Sequence, residues 1–62
     1  MNPLENILNE IDYYKERVQL FEGQLNKGQY YIDCYNRNKS ILTYYENLLN
    51  NYIKGITGAP LE

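Results

Sequence analysis

The sequence predicts an all-α fold: an antiparallel two-helix hairpin, coiled-coil-like, that dimerises into a four-helix bundle. Three observations predict it. Leu4, Ile7, Ile11, Tyr14, Val18, Phe21 and Leu25 alternate three- and four-residue steps without a break, which is the seam of a helix packed lengthwise against another. A second seam, Tyr31, Tyr35, Asn38, Leu42, Tyr45, Leu49 and Tyr52, follows a glycine turn at Gly28. Helix two then carries a further stripe, Tyr30, Cys34, Ile41, Tyr44 and Leu48, which widens its apolar arc beyond what one partner helix covers.

The first helix is expected over about residues 3–26. Asn2 is placed to cap it, Pro3 suits the first helical position, and Glu5 approximates the acidic arm of a capping box. Gly23 falls on the outer face, and Leu25 returns to the seam, so the helix is expected to continue through the glycine. Asn26, Lys27 and Gly28 form a stop: a cation at the negative helix end and a glycine able to take the left-handed conformation. The turn is therefore placed at about 27–29.

Helix two is expected over about residues 30–54, beginning near Gln29, with Lys54 and Gly55 repeating the stop. Asp33 lies near its positive end and is spaced to pair with Arg37. The stretch Asn36 to Ser40 is poor in interior helix formers, so a break with Ser40 capping a third short helix is the alternative to one continuous helix. Residues 56–62 read as a flexible tail, with Leu61-Glu62 in the form of a cloning-vector scar. Residues 1–55 thus make a single domain.

Folding the chain at Gly28 sets Leu25 near Tyr31, Phe21 near Tyr35, Val18 near Asn38 and Tyr14 near Leu42. Ile11 then meets Tyr45, Ile7 meets Leu49 and Leu4 meets Tyr52. The agreement of two separately read seams carries the hairpin. Asn38 has two readings: a buried polar residue fixing register or oligomer state, or a seam edge open to water or lying in the break considered above.

Size explains why the extra stripe matters. A chain of 62 residues has little core, and domains near this length bury only about 60% of their unfolded surface. Disulfides, metals and oligomerisation are the usual remedies. Cys34 is the single cysteine and there is no histidine, so an internal disulfide and a structural zinc site are both excluded. Oligomerisation or a partner remains. Left wet, the stripe with Leu8 beside the first seam would be an apolar patch of the kind that marks an interface.

The eight tyrosines have two readings as well. They can fill the core edge with the hydroxyl in water, or form an aromatic contact surface. In the pairs Tyr13-Tyr14, Tyr30-Tyr31 and Tyr44-Tyr45, successive residues are about 100° apart, so one faces the seam and the other the flank. Tyr30 and Tyr44 are the best contact candidates, with Tyr13 an exposed outlier. The protein-interface residues expected are therefore Tyr30, Cys34, Ile41, Tyr44, Leu48 and Tyr13. Cys34 reads as a small buried hydrophobe, because adjacent Asp33 opposes the effect of Arg37 on its thiol.

Several function classes have no support. A net charge of −2 with interspersed signs offers no basic stripe for phosphates, which makes nucleic acid a poor fit. No apolar run approaches a membrane span, and no signal peptide is recognisable, so a cytoplasmic location is expected. The acidic group Glu10, Asp12 and Glu16 interleaves with Lys15 and Arg17 and reads as a solvated face, with no metal or cofactor site. No histidine, phosphate loop or nucleophile motif is present, so no enzyme activity is expected. Abundant Asn, Tyr, Ile and Lys match AT-rich codons, as in a low-GC bacterium or its phages. The functional expectation is a small protein–protein interaction module, a homodimer that binds and regulates a partner protein. The alternatives are a nucleic-acid-associated regulator using Lys15, Arg17, Lys27, Arg37 and Lys39, and a structural subunit of a larger assembly.

Overall fold

The computed structural model describes the backbone of residues 2–57 and the side chains of residues 2–55. Helix α1 spans Pro3–Glu22, a 3₁₀ turn spans Leu25–Lys27, and helix α2 spans Gln29–Thr57. The fold is an all-α two-helix hairpin.

The start of α1 follows its sequence signal. Asn2 is extended (φ −75°, ψ 123°), and its Oδ1 accepts the Leu4 backbone N–H at 2.9 Å. This satisfies one of the orphan donors of the first turn. Pro3 loses nothing there, because its missing N–H would have had no helical partner. Asn2→Ala is expected to cost about 1 kcal/mol. A thermal melt followed by circular dichroism would show it as a lower midpoint with unchanged low-temperature helicity.

The end of α1 differs from expectation. The helix stops at Glu22 and does not run through Gly23 to residue 26. Gly23 caps it at φ −75°, ψ −4°, and its N–H still reaches the Gln19 carbonyl at 3.4 Å. The chain then tightens: Gln24 N–H donates to the Phe21 carbonyl at 2.9 Å, and Lys27 N–H to the Gln24 carbonyl at 3.0 Å. Continuing an α-helix through glycine costs roughly 1 kcal/mol relative to alanine. The tighter turn avoids that cost and still leaves Leu25 half-buried at the seam end.

Gly28 makes the reversal with φ 137° and ψ 177°. The positive φ agrees with expectation. The extended ψ does not match a left-handed helical cap, because Gly28 also opens α2: its carbonyl accepts Tyr31 N–H at 3.1 Å and Ile32 N–H at 3.3 Å.

Helix α2 is continuous through Asn36 to Ser40, so the break considered there does not occur. It also passes the expected stop at Lys54 and Gly55 and continues to Thr57. A glycine weakens a helix by only about 1 kcal/mol, and one glycine with no side chain needing the turn does not end it. Asp33 Oδ1 accepts from Gln29 Nε2 at 2.9 Å, one turn back, in place of the expected Arg37. Of the expected tail, Ile56 and Thr57 belong to α2. The rest, including the Leu61-Glu62 read as a vector scar, lies outside the described residues.

The core is thin. Among the described residues, Ile7, Ile11 and Phe21 are the buried apolar ones, Asn38 is the buried polar one, and no large side chain is fully enclosed. The molecule is 13 Å through its thinnest dimension, a single layer of helices. A single layer has a seam but no interior, so each seam residue keeps an edge near water.

Asn38 is a buried polar residue and not a seam edge open to water: it is only 6% exposed, and both ends of its amide are used. Its Nδ2 donates to the Cys34 carbonyl at 2.7 Å, and its Oδ1 accepts from Arg17 Nε at 3.1 Å. The seam layer expected as Val18 with Asn38 is thus bridged by Arg17. Further from the turn, Tyr14 stacks on Tyr45 with centroids 6.0 Å apart and planes at 14°, a contact that joins the expected Tyr14–Leu42 and Ile11–Tyr45 layers. Helical side chains lean toward their own N-terminus. In an antiparallel pair, Tyr14 and Tyr45 start from adjacent layers and lean toward each other, so their rings meet between the layers.

Candidate interaction face

The paired tyrosines divide between seam and surface. Tyr14, Tyr31 and Tyr45 are half-buried at the seam, while Tyr13, Tyr30 and Tyr44 are exposed. Within each pair the rings meet edge to face, at 4.9 Å and 86° for Tyr13-Tyr14, 5.3 Å and 87° for Tyr30-Tyr31, and 5.2 Å and 79° for Tyr44-Tyr45. Each seam tyrosine thereby fixes the ring of its exposed neighbour, in the geometry that the ring quadrupoles favour.

Groove geometry shows which flanks share a side. Pro3, Asn6, Ile7 and Glu10 of α1 line one groove together with Tyr45, Leu48, Asn51 and Tyr52 of α2. The Glu10 flank of α1 and the Leu48 flank of α2 therefore open on the same broad face. Helical spacing extends both flanks. Tyr13, Arg17 and Leu20 continue from Glu10, and Tyr44, Ile41, Cys34 and Tyr30 continue from Leu48.

The face so defined holds Tyr13 (50% exposed), Leu20 (55%), Tyr30 (69%), Tyr44 (60%) and Leu48 (36%). Cys34 and Ile41 are half-buried between the exposed residues of α2, and the Cys34 thiol is free. Leu8, 44% exposed, lies on the other flank of α1. Leu20 had no place in the sequence reading. The signal for it was present, since it lies two turns from Tyr13 and precedes seam residue Phe21 as Tyr13 precedes Tyr14.

The chain matches no protein-family model, no curated protein and no solved structure. The chemistry of the face must therefore come from its own residues.

Arg17 is the fixed polar group of this face. Its Nε is held by Asn38, and its guanidinium carbon lies 5.5 Å from both the Tyr13 and Phe21 ring centroids. A cation over an aromatic ring is attracted by the ring quadrupole. Two rings and one hydrogen bond hold the guanidinium while its terminal N–H groups are left for other acceptors. Burial, and then the charge of nearby Glu10, raise the Tyr45 phenol above its ordinary 10.0. Cys34, by hydrogen bonding and then by charge, raises the Tyr30 phenol in the same direction. Both tyrosines are therefore neutral at physiological pH and can be covered by another surface without an ionic penalty.

The opposite edges are different. Lys27 Nζ lies 5.9 Å from the Tyr31 centroid, and Lys39 Nζ lies 5.4 Å from that of Tyr35 while donating to its hydroxyl at 3.1 Å. That bond, followed by the charge of Tyr35, raises the Lys39 ammonium above its ordinary 10.5. Those seam tyrosines carry long cationic side chains as covers. Among the described residues no cluster of side chains is suited to a metal ion, and no helix is long and apolar enough to cross a membrane.

Proposed function

We propose that this hairpin is a small non-enzymatic protein–protein interaction module that acts as a homodimer. The two copies bury the face carrying Tyr13, Tyr30, Cys34, Ile41, Tyr44 and Leu48 and form a four-helix bundle in the cytoplasm. The bundle then presents its outer surface to a partner protein, whose activity it regulates.

One observation supports the reading above the rest. Among the described residues, the exposed large apolar groups are concentrated on one broad face, Leu8 alone among them standing on the other flank. A contiguous apolar patch rimmed by polar residues marks an interaction surface in soluble proteins. Aromatic residues and arginine are also the types enriched at interface centres. The thin seam supplies the motive, because a single layer gains a true interior only when a second layer covers it.

Leu48→Asp tests this reading. Removing about 1.5 kcal/mol of apolar burial from each copy counts twice in a symmetric dimer and weakens association roughly 100-fold. Ile41→Asp should act in the same direction and also reduce helicity at micromolar concentration. Sedimentation equilibrium reads the first effect and circular dichroism the second. Wild-type association and helicity in both variants would remove this face as the interface.

A further inference from the structure

The proposed homodimer leaves open how the second copy lies on the face, and the charges of the face decide between two arrangements. A two-fold axis running along the helices places both turns at one end and sets α1 over the partner's α2. A two-fold axis running across the helices places the turns at opposite ends, with α1 over the partner's α1 and α2 over the partner's α2.

The levels along the hairpin come from its own contacts. Tyr14 stacks on Tyr45, so Tyr13 shares a level with the Ile41–Tyr44 region. Arg17 bonds Asn38, so Arg17 shares a level with Arg37, the neighbour of Asn38 on the flank of the same face. Glu10 lies on the other side of Tyr13, in the groove with Leu48.

With the axis along the helices, each Arg17 lies at the level of the partner's Arg37. That puts like charges together twice, and each Glu10 is covered by apolar Leu48 without a cation. Juxtaposed like charges and unpaired buried charges are both costly. With the axis across the helices at Tyr13, Glu10 and Arg17 exchange places. One lies about a turn before the axis and the other about a turn after it, so each Glu10 meets the partner's Arg17. On α2 the same operation sets Ile41 against the partner's Tyr44. The apolar centre and both Glu10–Arg17 pairs close at once, while exposed Arg37, set opposite the partner's Leu48, extends its charged end past that side chain into water.

Resting on the self-association reading, we infer that the second copy lies on this face with its turn at the opposite end, Tyr13 at the two-fold axis and Glu10 of each copy bonded to Arg17 of the other. Arg17 is already held for this. Asn38 takes its Nε, and Tyr13 and Phe21 flank the guanidinium, so its terminal N–H groups bond a carboxylate with little further loss of side-chain freedom. The face also has the extent required. The molecule measures 45 by 27 Å across its broad side, which accommodates the roughly 800 Å² per partner of a standard interface.

The test uses the full chain with Cys34→Ser, so that the only thiol is an added one. Sedimentation first establishes whether this parent is a dimer. Tyr13→Cys is then oxidised alone, Tyr44→Cys alone, and the two mixed, with circular dichroism confirming helicity. Tyr13→Cys is expected to cross-link to itself at dimer-forming concentrations. Glu10→Lys, which faces the partner's Arg17, should weaken the dimer at least tenfold (about 1.4 kcal/mol). A Tyr13→Cys variant that links only to Tyr44→Cys would place the turns together and overturn the arrangement. Unchanged affinity in a helical Glu10→Lys dimer would overturn the charge pairing. A parent that stays monomeric would instead refute self-association itself, a result distinguishable from both.

Discussion

Phe21→Ala unfolds the hairpin at ambient temperature. Phe21 is one of the few buried apolar residues, 8% exposed, and it closes the seam near the turn end. Truncating a buried phenylalanine costs about 3–5 kcal/mol, and a domain of this size rarely holds more than about 3–5 kcal/mol in reserve. The loss also removes one of the two rings that flank Arg17, loosening the guanidinium that bonds Asn38. The measurement is far-ultraviolet circular dichroism at several concentrations. The expected result is largely lost helicity at micromolar protein, partly recovered at high concentration through association. Full helicity at all concentrations would mean that the seam near the turn contributes little.

Gly28→Val has the second largest expected effect, and it acts through the backbone alone. With φ 137° and ψ 177°, Gly28 occupies a region that only glycine adopts readily. A Cβ there would meet no heavy atom within 4 Å, so crowding is not the issue. The cost is the conformation itself, about 1–3 kcal/mol, and a β-branched residue stands toward the upper end. Gly55→Ala is the internal control. It sits within α2 and has equally open surroundings, so it should stabilise the helix by roughly 1 kcal/mol. Thermal midpoints of the two variants should therefore move in opposite directions. If Gly28→Val melted with the wild type, the reversal would not depend on that backbone conformation.

The sequence made the hairpin legible because its signals were redundant. Asn2 and Pro3 started α1, two heptads set the seams, and Gly28 separated them. The tyrosine pairs were legible for the same reason, since adjacent helical positions must face different ways. What the sequence did not reveal depends on finer balances. At Gly23 and Gly55, a glycine penalty of about 1 kcal/mol ended one helix and not the other, because a turn had to follow the first. The Arg17–Asn38 bond was hidden because a heptad reports which face a residue occupies, not how far a long flank side chain reaches across. The stacking of Tyr14 on Tyr45 was missed because layers were matched by position without the lean of each ring. On the face itself, Tyr30, Tyr44, Leu48 and Tyr13 were readable from periodicity, whereas Leu20 needed the flank of α1 to be followed as closely as that of α2.

The central claim is that the Tyr-rich face is covered by a second copy of the chain. The most direct measurement is sedimentation equilibrium over a wide concentration range, with circular dichroism on the same samples. The expected result is a dimer whose helicity falls as dilution separates the copies. A fully helical monomer at every concentration would contradict it.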